Sequence, residues 1–148
     1  MSESGGREVA GARYTRGMTG LVPYLFFPGN AAEALNFYRT VFGGELVLYT
    51  YADAQRTDGP QDAIGHGMLQ GAVELFAADA DPDDDAVHIV GASFSLLGTA
   101  EPDVLHEWFA KLSDGGTAID PLQQRPWGDF DGQVTDRYGI RWLIGYQA

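Results

Sequence analysis

Cysteine is absent from this 148-residue chain. Disulfide scaffolds, thiol catalysis, Cys-ligated zinc and iron–sulfur clusters are excluded with it. Long hydrophobic runs are missing too. Stretches such as 21–27 (LVPYLFF) fall far short of the ~20 residues a membrane helix needs. Positive charge is scarce: nine Lys and Arg stand against 21 Asp and Glu. The resulting net charge of −12 argues against nucleic-acid and anionic-membrane partners, which need basic patches. Residues 1–20 are rich in Gly, Ser, Arg and Glu and have no apolar core segment, so no secretory signal is expected and the expected location is cytoplasmic.

Glycine is plentiful instead. Twenty of 148 residues is about twice the usual ~7% share, so a domain with many turns is expected. Residues 1–17 carry no apolar periodicity and read as a flexible tail, with a single domain over 18–148. Residues 21–27 read as a buried strand, and Pro23 within it implies an edge or strand-start position. Asn30 is the expected N-cap of a helix, with Glu33 three residues on. Ala34, Phe37, Tyr38 and Val41 then fall at helical spacing on one face, and Gly43 and Gly44 end it. Strands follow at 45–51, 64–69 and 71–77, the last two as a hairpin. After an acidic loop, a strand at 91–97 leads to a second helix. Pro102 sits in its first turn, Leu105, Trp108, Phe109 and Leu112 form its apolar face, and Gly115 and Gly116 end it. A short strand at 117–122 and a hairpin over 133–146 complete the chain.

The pattern is an internal repeat. Strand, turn, amphipathic helix, Gly-Gly and strand occur twice, and the two Gly-Gly pairs are 72 residues apart. Each half reads β-α-β-β-β, with modules over about 18–80 and 87–148. Neither half alone buries enough surface to be comfortably stable.

Three segments carry a more specific resemblance: PYLFFPGNAAEALNFYRTVFGGEL at 23–46, GHGMLQGAVELFAADA at 65–80 and RPWGDFDGQVTDRYGIRWLI at 125–144. In this order they resemble the PhnB-like branch of the vicinal oxygen chelate superfamily, the glyoxalase, bleomycin-resistance and dioxygenase group. The resemblance implies an α+β fold: two βαβββ modules, their mixed sheet curled into an open cup with the helices outside. It also implies a homodimer.

Metal-dependent members hold a divalent ion on His, Gln or Glu side chains, for Lewis-acid activation of a substrate oxygen or binding of dioxygen. Carried over residue by residue, the ligand positions fall at Pro23, at Glu74, at Ser93 or Ser95, and at Leu143. Proline and leucine offer no side-chain donor, and catalytic sites usually keep three protein ligands. No metal and no other cofactor is therefore expected. The three histidines, His66, His88 and His106, form no HxH or HxxxH pair and read as surface or structural residues. The acidic run of Asp79, Asp81, Asp83, Asp84 and Asp85 fails the calcium-loop pattern, because Asp84 stands where Gly is required and Val90 where a chelating Glu is.

Glu74, between Val73 and Leu75, reads as part of an apolar strand, on one face with Ala72 and Phe76. Inside a cup it would serve as a general base or hydrogen-bond acceptor; on an outward face it is a solvated carboxylate. Trp127, in a Pro-Trp-Gly turn, either walls an apolar pocket or plugs the core. Arg141 could pair with Glu74, grip an anionic ligand or sit on the surface. Ser93, Ser95, Trp127, Arg141 and Leu143 are the expected ligand contacts. The expectation is a metal-free protein that binds a small molecule in the cup. The alternative is an enzyme of lyase, isomerase or dioxygenase type that uses Glu74 as base or metal ligand.

Overall fold

Each half of the chain folds in the order its sequence pattern predicts. The computed structural model describes residues 20–148 and, ahead of them, the backbone of two short antiparallel strands, β1 (Glu8–Val9) and β2 (Ala12–Arg13). The rest of the predicted tail lies outside the described residues. The chain divides into two units, one ending at Val87 and the other starting at His88.

In the first unit β3 (Tyr24–Phe27), α1 (Ala31–Phe42), β4 (Glu45–Thr50), β5 (Ile64–Gln70) and β6 (Leu75–Asp79) build a four-stranded sheet in the order β3-β6-β5-β4. β3 and β6 are parallel and the other pairs antiparallel. The second unit repeats this with β7 (Phe94–Leu97), α2 (Pro102–Ser113), β8 (Thr117–Gln124), β9 (Phe130–Thr135) and β10 (Arg141–Tyr146), in the order β7-β10-β9-β8. β7 and β10 are its parallel pair. The structure is α+β, with two βαβββ modules and two mixed sheets. No helix among the described residues is long and apolar enough to cross a membrane.

Helices of 12 residues are marginal alone and depend on docking an apolar face. In α2 the four predicted residues, Leu105, Trp108, Phe109 and Leu112, are all buried. In α1 Ala34, Tyr38 and Val41 are buried as expected, Phe37 is half-buried, and Ala31, Leu35 and Phe42 join the core. The sheet residues alternate accordingly. Leu25, Phe27, Leu75 and Ala77 are buried in the first unit, and Val134, Trp142 and Ile144 in the second.

Several boundaries differ from the sequence expectation, each for a physical reason. β3 begins at Tyr24, because Pro23 has no N–H for the ladder; its carbonyl still accepts the Phe76 N–H at 2.9 Å, and Leu21 is fully exposed. β3 is an edge strand, as Pro23 implies. Edge strand β8 runs to Gln124, with register shifts on either side of Asp120, next to Pro121. β6 starts only at Leu75, so Glu74 precedes the strand it was expected to occupy.

The cap of α1 is also a correction. The Asn30 side chain makes no capping bond. Asp79 caps the helix instead: its Oδ1 accepts the Ala31 N–H at 2.9 Å and its Oδ2 the Ile64 N–H at 2.8 Å. Asp79 belongs to β6 and joins it to the start of α1 and of β5, so it is not part of an acidic loop. In the second unit buried Asp136 organises the β9–β10 turn. Its Oδ1 accepts the Tyr138 and Ile140 N–H groups, and its Oδ2 accepts Trp142 Nε1 at 2.9 Å.

The two Gly-Gly pairs do one job twice. A Cβ added at Gly44 would overlap the Gln70 carbonyl oxygen, and one added at Gly116 would overlap that of Thr135. Each second glycine lets the strand after the helix start directly against its antiparallel partner, Glu45 opposite Gln70 and Thr117 opposite Thr135. Gly43 differs: its φ is +75°, but a methyl added there would meet nothing within 4 Å. With ψ at −167° the residue sits in a region essentially restricted to glycine, so Gly43→Ala is expected to cost about 2 kcal/mol, from backbone strain alone. Gly44→Ala, with φ +99° and a backbone overlap, should cost at least ~3 kcal/mol in urea unfolding. Equal costs would refute the close-approach account.

Candidate functional site

Alternation fixes which strand residues face away from the helix. In the first unit Asp79 reaches the α1 N-terminus, so Leu75 and Ala77, of the same parity, lie on the helix side. Tyr24, Phe26, His66, Met68 and Phe76 take the other parity and make up the helix-distal face. In the second unit His106 Nε2 on α2 meets the Tyr146 hydroxyl at 2.8 Å. Tyr146, Ile144 and Trp142 are thus helix-side, and Arg141, Leu143, Gln133 and Ser95 are helix-distal.

The helix-distal face of the first module is aromatic. Tyr24 stacks on Phe26 with centroids 4.9 Å apart and meets Phe76 edge-on at 6.0 Å. The His66 ring lies 5.5 Å from both Tyr24 and Phe76. The Tyr24 hydroxyl spans the intervening β6 to Nδ1 of His66 at 2.8 Å. His66 is completely buried, and its burial holds the imidazole pKa below the usual histidine range. Phe26 is 47% exposed, so part of this apolar surface meets solvent. Sequence pattern alone reads His66 as a surface or structural residue. The signal for more was its parity with Met68 in an apolar strand, but its partner is two strands away and invisible in local pattern. Glu74 is half-buried and keeps the parity of Phe76, while Ala72 is exposed in the preceding turn.

The helix-distal face of the second module is polar. Ser95, Leu143 and Gln133 pair side by side across β7, β10 and β9. Arg141 Nε and Nη2 donate to Gln133 Oε1 at 3.0 and 2.6 Å. The structure thus brings three of the expected contacts, Ser95, Arg141 and Leu143, onto one face. Ser93 has the same parity but precedes β7. Trp127 stands apart, 70% exposed in the turn closed by the Gly128 N–H on the Arg125 carbonyl.

The glycine contacts align the two modules. Gln70 corresponds to Thr135, and the registers then match Met68 with Gln133, Phe76 with Leu143, Tyr24 with Ser95 and Glu74 with Arg141. The first-strand residue on the helix-distal face is Tyr24, one past the carried-over Pro23. The opposite number of Glu74 is Arg141, which no cation would choose as ligand. Tyr24, Arg141 and Leu143 do not suit a divalent ion, and among the described residues no three His, Asp or Glu side chains converge on a point.

Two clefts lie at equivalent places, at the ends of the parallel strands beside each helix N-terminus. The first, of about 660 Å³, is bordered by Glu33, Asp58, Asp62, Asp79 and Asp81. Arg56 lies 3.7 Å over the Tyr51 ring and pairs with Asp58 and Asp81; Tyr51, Asp58 and Asp81 all line this cleft. The second, of about 550 Å³, is lined by Leu97, Pro102, Phe130 and Tyr146. None of the expected site residues borders either cleft.

Comparison with known proteins adds a lineage. The family model of the Glyoxalase/Bleomycin resistance protein/Dioxygenase superfamily matches residues 20–144. Protein YjdN of Escherichia coli strain K12 is 29% identical over 140 residues, covering 84% of this chain and 92% of YjdN. The crystal structure of protein PA1353 from Pseudomonas aeruginosa is 31% identical with a TM-score of 0.73, covering 88% of this chain and 98% of that one. A PhnB protein from Bacillus cereus shares the fold at 21% identity and a TM-score of 0.68, covering 86% and 99%.

His66 makes stability pH-dependent. Because the folded state resists protonation at His66, the unfolded chain takes up the proton first on acidification. The contribution is intact above about pH 6.5 and is lost as the pH falls from there. Urea unfolding between about pH 7.5 and 5.5 should show stability falling, with a slope of up to ~1.4 kcal/mol per unit from this group. His66→Gln should flatten it. An unchanged slope would refute the assignment.

Proposed function

The chain belongs to the glyoxalase/bleomycin resistance protein/dioxygenase superfamily, and from that premise we propose that it is a cytoplasmic, homodimeric, metal-free small-molecule-binding protein. The observation that carries this reading is the helix-distal face of the first module: a cluster of four rings, one of them 47% exposed, with a part-buried Tyr24–His66 hydrogen bond set into it. Apolar area supplies affinity and a few fixed polar groups supply orientation, the usual division of labour in a ligand site. Metal-free binding is supported by the donor set, since the carried-over positions hold Pro23 and Leu143, and their aligned neighbours Tyr24 and Arg141. Such a protein binds and releases its ligand unchanged.

A second reading, an enzyme of lyase, isomerase or dioxygenase type, rests on Glu74. It is half-buried at the start of β6, two residues from Phe76 on the same parity, where a carboxylate can take a proton from a ligand held on the aromatic face.

Native mass spectrometry of protein purified without chelators or a metal-affinity step tests the first reading. The expected species is a dimer of the 16.0 kDa chain, bare or carrying an organic adduct. One nickel, zinc, iron or manganese ion per chain overturns the metal-free assignment, and a 16.0 kDa species at micromolar concentration overturns the dimer. Glu74→Gln separates the two readings. Retained adduct binding with no change in any turnover supports the binding protein; retained binding with turnover reduced roughly 100-fold or more makes Glu74 the base.

A further inference from the structure

Cations are few in this chain, nine against 21 acidic residues, and most of those described are neutralised. Arg56 holds Asp58 and Asp81, Lys111 holds Glu107, Arg125 holds Asp120 and Asp131, and Arg137 reaches Asp114. Arg141 breaks the pattern. It is half-buried on the helix-distal face of the second module, and two of its nitrogens are spent on the amide oxygen of Gln133. A neutral oxygen orients a guanidinium without compensating its charge. Glutamate at position 133 would supply both orientation and charge, in a chain that uses acidic residues freely. Glutamine instead leaves Arg141 without a carboxylate of its own: the neighbouring carboxylates of the sheet, Asp120 opposite Gln133 and Asp131 two residues before it, are both held by Arg125. With its oxygen engaged, Gln133 has only amide N–H groups left to offer, and Arg141 has Nη1. The hydroxyl of Ser95 lies on the same face, separated from Gln133 by Leu143.

We propose that this face is a carboxylate site: the carboxylate of a small organic acid accepts hydrogen bonds from Arg141 and Gln133, while Leu143 contacts the carbon skeleton and Ser95 offers a further hydroxyl. The inference rests on the small-molecule reading and names the ligand class. The guanidinium fork matches a planar carboxylate. The net charge of −12 penalises a dianion more than a monoanion, which favours a carboxylate over a phosphate. The donor set is peculiar to this module. At the aligned positions the first module has Glu74 for Arg141, Met68 for Gln133 and Tyr24 for Ser95. It is therefore no by-product of the fold.

Benzoate and benzamide match in size and shape and differ in charge, so they make a paired probe. Each is titrated into the full chain at millimolar concentrations while backbone amide resonances are followed. Benzoate should shift Gln133, Arg141 and Leu143 and bind at least roughly tenfold more tightly than benzamide. Added salt should weaken it. Arg141→Gln should abolish the difference between the probes. Gln133→Glu keeps Arg141 and supplies an internal carboxylate; it should block benzoate while leaving the spectrum dispersed, which guards against an Arg141 variant that fails to fold. Equal binding of the two probes, no response to benzoate, or undiminished benzoate binding in Gln133→Glu each overturns the carboxylate site. A response from both probes confined to Tyr24, Phe26 and Phe76 overturns it too, yet leaves the small-molecule reading standing.

Discussion

The approach of one glycine to one carbonyl, made twice, is the constraint on which the rest depends. Gly44 against Gln70 and Gly116 against Thr135 set the point at which the strand after each helix meets its partner. A strand's side chains alternate, so a shift of one residue would exchange its two faces. Leu69 and Val134 would leave the core and polar residues would enter it. Everything assigned to a helix-distal face follows from that register. Asp79 and Asp136 then lock what the glycines align, each with both carboxylate oxygens engaged.

With the modules aligned, their divergence becomes readable. The same scaffold positions carry an aromatic cluster with a hydrogen-bonded Tyr24–His66 pair in one half and a Ser–Leu–Gln–Arg surface in the other. The repeat supplies two equivalent faces, and Glu74 and Arg141 at the matching position give them charges of opposite sign. Most helix-side residues pack under a helix, as Leu69, Leu75 and Ala77 do in one module and Val134, Trp142 and Ile144 in the other.

Periodicity exposed the helices, because their apolar faces and Gly-Gly ends are local signals: Leu105, Trp108, Phe109 and Leu112 all reach the core. The repeat and the family were legible for the same reason. Long-range partners were not. Asn30 looked like a cap because the true one, Asp79, is 48 residues away from Ala31. His66 looked inert because Tyr24 comes to it across a third strand. The two-residue ambiguity between Ser93 and Ser95 ends only when Ser95 is seen opposite Leu143. Glu74 fits a strand pattern because Val73 and Leu75 flank it, but the turn from Gly71 delays pairing until Leu75.

All three tryptophans fall in the second unit: Trp108 and Trp142 packed in its core, Trp127 almost bare in a turn. The first unit carries none. Intrinsic tryptophan emission is therefore a reporter on one half of the molecule, while five of the seven tyrosines, Tyr24, Tyr38 and Tyr51 among them, weight the tyrosine signal towards the other. If the halves melt together, the two signals coincide; if either opens alone, the optical record separates them without any label.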